Sequence, residues 1–315
     1  MKKLVGFNKG VNLGGWLSQC DYSTEHLNGF ITEDDFKKIA SWGVDHIRIP
    51  IDYNIMQNPD GTIKESGFSY IDKALSLCGR YGLNAVIDLH KTVGYSFDKG
   101  EQEKGFFDDD KYQELFYSLW EDFAKRYGNS EKIAFELLNE VTDKEFSKKW
   151  NEVAKECIKK IRNFAPHTVI LVGGYWNNSI DAIKDLDPPF DDKVAYTFHC
   201  YDPMIFTHQK AWWVDNFDVS KSRTYEECGC CADNFIQSFK EAYEIARKND
   251  TVLYCSEYGV INKASAADTL KWYKDINKAF EHYGIGRCAW NYKEKDFGLS
   301  DKKLEGVIEE LTKYL

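Results

Sequence analysis

Short apolar runs alternate along this chain of 315 residues with longer segments whose apolar positions recur at helical spacing. In the segment Ser69–Tyr81, for example, apolar residues lie at helical spacing and Gly82 follows as a stop signal. Repeated strand–helix units of this kind predict an α/β fold, a (β/α)₈ TIM barrel, with a single domain covering residues 1–315. The eight predicted strands are Phe7–Leu13, Val44–Ile49, Leu83–Leu89, a strand beginning at Ile133, Thr168–Val172, Val194–Phe198, Val252–Ser256 and Ile285–Trp290.

Three further details of the predicted fold concern a strand break, a long loop and the last helix. Pro50 is expected to break the second strand, since proline cannot donate to a ladder. The segment 202–233 after the sixth strand is long, so we predict an extended active-site loop or a small excursion from the barrel. The last helix is predicted over residues 302–315.

Polar or aromatic side chains follow most of the predicted strands at the point where each strand ends. In a barrel of this kind the C-terminal strand ends form the active-site face, whereas packing alone would favour Val, Ile and Leu there. Taken singly, an arginine can pair with a structural carboxylate, a histidine can be a satisfied core residue, and a tryptophan can be core packing. The residues concerned are Arg48, His90, Asn139, Glu140, His199, Tyr201, Glu257 and Trp290.

Glu140 and Glu257 differ from the others because a carboxylate at the end of a buried strand needs partners or a role. A retaining glycosidase needs at least two carboxylates, and the ends of two different barrel strands would supply them here. This pair is our central functional prediction.

Composition narrows the class of substrate. The net charge of −10 argues against nucleic acid or an anionic membrane as a partner and suits a neutral ligand. Aromatic residues make up 15% of the chain, enough to line a groove with flat faces for sugar rings, although core packing explains many of them. The candidate sugar-stacking platforms are Trp16, Trp176, Trp212 and Trp213.

Nine scattered cysteines do not form a disulfide framework and fit a reducing compartment. Cys228, Cys230 and Cys231 form a cluster, but it lacks further ligands at metal-binding spacing, so neither a metal nor another cofactor is expected. The apolar run after the first lysines is too short for a secretory signal, and no stretch is long enough to span a membrane. We therefore expect a cytoplasmic monomer, or a secreted one if a leader has been removed.

The strand-end residues also match a known family in type and in order along the chain. The matching motifs are H-I-R-I-P with Arg48, D-L-H with His90, L-N-E with Asn139 and Glu140, His199-x-Tyr201, S-E-Y-G with Glu257 and A-W-N-Y with Trp290. With these motifs the sequence resembles glycoside hydrolase family 5, whose members hydrolyse with retention. The motifs G-V-N-L-G-G-W, F-E-L-L-N-E and F-T-H-Q-K-A-W are most similar to clostridial cellulases of the endoglucanase C type, which also act on mixed-linkage β-glucan.

The resemblance implies a role for each residue of the pair. Glu140 is expected to act as general acid and then general base, with a pKa raised by partial burial and by the charge of the second carboxylate. Glu257 is the implied nucleophile, kept ionised by Arg48 and oriented by Tyr201. The two carboxyl groups should then lie about 5–5.5 Å apart.

The remaining residues are implied to bind substrate. Asn139 would hold the 2-hydroxyl of the sugar, His90 and His199 would bind hydroxyls or support the pair, and Trp290 would form the floor under the sugar. One departure stands out: relatives often carry a second histidine after the first, where this chain has Lys91. That substitution puts the substrate contacts near this strand end in doubt.

The expected activity is endo-acting hydrolysis of β-1,4-glucosidic bonds in cellulose-type or mixed-linkage β-glucans and oligosaccharides. An exo-β-1,3-glucanase or a β-mannanase would use the same pair, and the opening G-V-N-L-G-G-W-L also occurs in exo-β-1,3-glucanases of the family. A non-catalytic carbohydrate-binding barrel is disfavoured because both glutamates are present. A metal-dependent barrel hydrolase using His90 and His199 is disfavoured because the chain has neither an H-x-H pair nor a lysine suited to carboxylation at a strand end.

Overall fold

The computed structural model describes residues 4–98, 103–215 and 218–315. Eight parallel strands pair in chain order and close into a barrel, with β8 hydrogen-bonded to β1. The predicted (β/α)₈ barrel is therefore confirmed. The strands are β1 Lys9–Asn12, β2 His46–Asp52, β3 Asn84–Lys91, β4 Ile133–Glu136, β5 Val169–Gly173, β6 Val194–Cys200, β7 Leu253–Tyr258 and β8 Gly286–Ala289.

Helices cover the outside of the barrel, and each crossover between consecutive strands contains an α-helix except the one from β5 to β6, which carries a left-handed turn and a 3₁₀ helix. The α-helices, with the left-handed turn counted as α7, are α1 Thr24–Gly29, α2 Glu33–Ser41, α3 Tyr53–Met56, α4 Glu65–Tyr81, α5 Asp110–Tyr127, α6 Ser147–Arg162, α7 Tyr175–Asn178, α8 Met204–Thr207, α9 Ala232–Lys248, α10 Ala266–Tyr283 and α11 Ile308–Leu311. Single 3₁₀ turns lie at Lys144–Phe146, Ile180–Asp185, Glu226–Cys228, Lys302–Leu304 and Thr312–Tyr314. None of the helices within the described ranges is both long and apolar enough to cross a membrane.

Local sequence explains where the helices begin and end. Thr32 and Asp35 form a reciprocal capping box at the start of α2, which satisfies backbone N–H groups that the helix itself leaves unpaired. Gly82 ends α4 in a left-handed conformation with φ 70°, which a residue without a Cβ adopts at little cost. The buried face of α4 includes Ile71 and Ala74, as its apolar spacing predicts.

Pro50 lies inside β2, so the prediction that it ends the strand is wrong. The carbonyl group of Arg48 and the N–H group of Asp52, two residues before and after Pro50, form hydrogen bonds with the segment that follows β1. Because alternate residues of a strand face the same side, Pro50 faces that segment as well. There β1 has already ended at Asn12, so the missing N–H of the proline removes no ladder bond.

The C-terminal part of the chain departs from its predicted helix over residues 302–315. Helix α11 covers only Ile308–Leu311, between two 3₁₀ turns. Gly306 lies at the interruption, and glycine weakens a helix through its backbone freedom. Earlier, the long segment after β6 carries α8 and one 3₁₀ turn before α9 begins at Ala232.

The core of the described residues has three parts. The largest part fills the space between the strands and the surrounding helices. A smaller part fills the interior of the barrel toward its N-terminal end, where side chains from several strands form one layer. Its members are Phe7, Val86, Ala134, Leu171, Ala195, Val252, Tyr254 and Cys288. A third, small cluster consists of Ala211, Ile261, Trp290 and Phe297.

Candidate active site

A cleft of about 640 Å³ opens at the C-terminal ends of the strands. Seven of the eight predicted strand-end residues line it, namely His90, Asn139, Glu140, His199, Tyr201, Glu257 and Trp290. The eighth, Arg48, is fully buried and hydrogen-bonds Asn139 and Glu257. The structure therefore brings the whole predicted set together.

The two glutamates face each other across this cleft. Glu140 follows β4, and Glu257 lies in β7. One carboxylate oxygen of each and one ring nitrogen of His199 all lie within 4.8 Å of one another. His199 Nδ1 lies 2.8 Å from Glu140 Oε1 and 3.6 Å from Glu257 Oε2. This approach of one oxygen from each carboxylate is compatible with the separation of about 5–5.5 Å between the carboxyl groups of retaining pairs.

Glu140 lies in an environment that favours its protonated form. Burial raises its pKa to about 7, and the negative charges of Asp98 and Glu136 act in the same direction. A hydrogen bond of 2.9 Å from Asn177 to Oε2 opposes the rise. The electrostatic part of the rise was predicted to come from Glu257, whereas Asp98 and Glu136 make the larger contributions. The backbone of Glu140 has φ 38°, an uncommon conformation of the kind that clusters at functional sites.

Glu257 has a hydrogen-bond donor on each oxygen. Arg48 Nη1 donates to Oε1 at 2.8 Å, and the Tyr201 hydroxyl donates to Oε2 at 2.8 Å. Burial and the neighbouring charge of Glu257 hold the pKa of Tyr201 well above its ordinary value, so this hydroxyl keeps its proton. Both contacts stabilise a carboxylate anion and fix its orientation.

Arg48 is the centre of a larger buried network. Its guanidinium bonds Glu136 at 2.7 and 3.1 Å and contacts Asp88 at 3.1 Å, in addition to Glu257. Burial raises the pKa of Asp88 to about 7 and raises that of Glu136 as well. Asp88 and Glu136 were not predicted from the sequence. The signal was present, because each is a carboxylate inside an apolar strand, two residues before His90 and four before Glu140.

His90 and Asn139 complete the polar floor. His90 Nδ1 lies 2.7 Å from Asp88 Oδ2, and burial lowers the pKa of His90 to about 3, so the ring is neutral. The ring is parallel to that of Trp290, with centroids 5.7 Å apart. Asn139 accepts a bond from Arg48 through Oδ1, while its buried Nδ2 has no partner in the described parts of the chain. That amide nitrogen is a donor available to a ligand in the cleft.

Three of the four predicted tryptophan platforms line the cleft. Trp176 is 53% exposed and Trp212 is 86% exposed, and Trp213 lies beside them. The prediction for Trp16 is wrong. Its side chain is 2% exposed, and its indole nitrogen donates to the carbonyl of Leu27 at 2.9 Å. The ring is therefore a core residue whose one polar atom is already satisfied.

Lys91, the departure from the family pattern, points away from the cleft. Its ammonium lies 3.3 Å from the Tyr22 hydroxyl and 4.0 Å from the Asp52 carboxylate. Burial raises the pKa of Asp52 to about 6, and the lysine opposes that rise. This lysine belongs to a buried structural cluster and is not part of the cleft lining.

The cysteine cluster does not gather into a metal site. Across residues 4–98, 103–215 and 218–315, Glu140, His199 and Glu257 are the one set of three or more potential ligands that converge within 4.8 Å. Cys231 instead caps α9, where its thiol donates to Asn234 Oδ1 at 3.1 Å.

Comparison with known proteins identifies the family. The model of cellulase, glycosyl hydrolase family 5, matches residues 8–296. The chain belongs to family 5. It is a glycoside hydrolase, as the strand-end motifs predicted.

Relatives within family 5 extend over nearly the whole chain. Cellodextrinase A of Ruminococcus flavefaciens is 53% identical over 91% of this chain and 86% of its own length. Endoglucanase C of Acetivibrio thermocellus is 38% identical over 99% of this chain and 98% of its own. Among solved structures, endoglucanase Cel5A of Thermotoga maritima superposes with a TM-score of 0.84 at 26% identity, covering 98% of this chain and 97% of that one.

The Arg48 network generates a stability prediction. Arg48→Ala leaves three buried carboxylates without their cation, and we expect a loss of about 3–5 kcal/mol in the free energy of unfolding. Burial raises the pKa of Asp88 to about 7 and Arg48 opposes the rise, so without the arginine the folded form holds this proton still more tightly than the unfolded chain does. The cost of ionising Asp88 in the folded variant therefore grows as pH rises, and urea unfolding should show a larger loss at about pH 8 than at about pH 5.

Arg80→Ala is the matched control, because Arg80 pairs with Glu33 on the surface and such pairs contribute little. An Arg48→Ala loss no larger than that of the control, or one independent of pH, would contradict the network.

Proposed function

We propose that this family 5 enzyme is an endo-acting hydrolase of β-1,4-glucosidic bonds in cellulose-type or mixed-linkage β-glucans and their oligosaccharides, and that it retains the anomeric configuration. The observation that carries the proposal is the approach of Glu140 and Glu257 to within 4.8 Å, shared with His199. The names of its relatives, a cellodextrinase and an endoglucanase, support the class of substrate.

In the first step Glu257 attacks the anomeric carbon of the sugar above Trp290. The bond from that carbon to the leaving-group oxygen breaks, and Glu140 gives its proton to this oxygen. Glu140 is suited to this role because its pKa of about 7 keeps a substantial protonated fraction at neutral pH. The products of the step are a glycosyl ester on Glu257 and a released sugar whose former glycosidic oxygen is now a hydroxyl group.

In the second step water attacks the same carbon and the ester bond to Glu257 breaks. Glu140, now ionised, takes the proton of the water. Both carboxyl groups return to their starting states, so no further reactant is needed. Two inversions at one carbon give net retention.

The other cleft residues position the sugar. The unpartnered Nδ2 of Asn139 is suited to donate a hydrogen bond to the oxygen of the 2-hydroxyl, a contact that strengthens as positive charge develops on the ring. Trp290, stacked on neutral His90, offers a flat apolar floor. Trp176 and Trp212 offer stacking surfaces farther along the cleft for neighbouring sugar units.

The backbone linkage is the finer part of this proposal. Exo-hydrolysis of β-1,3-glucan or hydrolysis of β-mannan would use the same pair, so both substrates belong in the test. The cellular location and the oligomeric state stay predictions.

Substitution of the pair tests the reaction. We expect wild type to hydrolyse cello-oligosaccharides or barley β-glucan in a panel with laminarin and glucomannan. Glu140→Gln should lose about 10²–10⁴-fold in rate on these substrates and much less on aryl glycosides whose leaving group needs no proton. Glu257→Gln should lose turnover of both kinds of substrate.

Trp16→Phe, a substitution outside the cleft, is the control and is prepared and assayed in the same way as the glutamine variants. Full activity in either glutamine variant, or inactivation of wild type by EDTA, would contradict the two-carboxylate reaction. Activity on laminarin alone, with glucose as product, would favour the exo-β-1,3 alternative.

The pH dependence of wild type tests the role of Glu140 separately. Because the first step needs Glu140 protonated, kcat/KM on cellotetraose should fall as pH rises through about 7, the value to which burial raises this pKa. A value of kcat/KM that stays level well into the alkaline range would contradict the assignment of the acid.

A further inference from the structure

Asn177 belongs to a short turn that the sequence analysis did not single out. In α7 the residues Trp176, Asn177 and Asn178 all have left-handed backbone angles, with φ of 52°, 57° and 55°. The turn is fixed to the segment after Glu140, because the backbone N–H of Trp176 donates to the Thr142 carbonyl at 3.0 Å. An asparagine tolerates this conformation better than most residues. The side chain of Asn177 thereby reaches Glu140 from the open side of the cleft.

Each oxygen of Glu140 has its own donor. His199 Nδ1 lies 2.8 Å from Oε1, and Asn177 Nδ2 lies 2.9 Å from Oε2. On the far side of the ring, the amide nitrogen of Asn178 lies 3.4 Å from His199 Nε2. The ring of His199 thus lies between Glu140 and the side chain of Asn178.

A general acid that becomes a general base must be stabilised as a carboxylate during the second step. The hydrogen bond from Asn177 Nδ2 to Glu140 Oε2 stabilises the carboxylate more than the protonated carboxyl group, because hydrogen bonds to an ionised acceptor are the stronger ones. Asn177 is exposed in the cleft wall.

We propose that Asn177 is a positioning residue that orients the Glu140 carboxylate and favours its ionised form in the second step, by donating a hydrogen bond to Oε2. The proposal rests on the double-displacement function given above. Asn177 also opposes the rise in the pKa of Glu140, so it sets the balance between acid and base. The other titratable or charged groups around Glu140 are Arg48, Asp88, Asp98, Glu136, His199, Tyr201 and Glu257.

Two substitutions separate this role from simple support of the turn. Asn177→Gly removes the side chain, and Asn177→Asp keeps its shape but can only accept; both residue types tolerate positive φ. Loss of one hydrogen bond to a charged group should move the alkaline limb of kcat/KM on cellotetraose upward by about one pH unit in Asn177→Gly. Asn177→Asp should move it further, because a second carboxylate repels the ionised form.

The second step gives an independent readout. With a 2,4-dinitrophenyl cellobioside the first step needs no acid, and kcat reports hydrolysis of the glycosyl ester. A rise of one unit in the pKa of Glu140 lowers its ionised fraction about tenfold below that pKa, so kcat at mildly acid pH should fall about tenfold in Asn177→Asp. Asp250→Gly, at another left-handed position with φ 52° outside the cleft, is the control and should leave both profiles unchanged.

A uniform loss of rate at every pH with an unmoved alkaline limb in both variants would overturn the proposal and leave the proposed function intact. If wild type does not hydrolyse any cello-oligosaccharide, the proposed function itself is contradicted. Carbon-13 NMR titration of the Glu140 carboxyl, assigned by its absence in Glu140→Gln, measures the same pKa without turnover. An unchanged titration midpoint in Asn177→Gly would also overturn the proposal.

Discussion

The charge of Arg48, buried in the barrel, is the interaction on which the rest of the site depends. Its guanidinium reaches Asp88 on β3, Glu136 on β4 and Glu257 on β7, so one side chain from β2 connects four strands. A buried charge is costly unless paired, and here each partner would be equally costly without the arginine. The network therefore acts only when the barrel is closed and in register. The position of Glu257, the proposed nucleophile, therefore depends on the closed barrel.

That network also gives the two glutamates different surroundings. The arginine and a tyrosine hydroxyl donate hydrogen bonds to the two oxygens of Glu257. Glu140 lies beyond the reach of the arginine's hydrogen bonds, and burial raises its pKa to about 7. Identical side chains thus meet the different environments that the proposed division into nucleophile and acid–base requires.

Sequence patterning predicted the barrel and the strand-end residues because buried parallel strands are apolar runs, and polar residues stand out at their ends. Asp88 and Glu136 were missed because they lie inside the strands, where a carboxylate is expected only if a buried cation such as Arg48 pairs with it. Asn177 was missed because its position depends on a left-handed turn that has no apolar periodicity. Trp16 was misassigned because a tryptophan next to glycines fits a core position as well as a cleft wall. Pro50 was misassigned because the sequence does not show that its neighbouring strand stops short.

The most direct test of the central claim is to trap the covalent intermediate. A cellobioside with fluorine at position 2 and dinitrophenolate as leaving group should form the glycosyl ester quickly and hydrolyse it slowly, because it lacks the 2-hydroxyl that stabilises the second transition state. Mass spectrometry of wild type should show the added mass of one fluorocellobiosyl group, located on the peptide that contains Glu257. A label on any other residue, or release of the inverted anomer without labelling, would contradict the account.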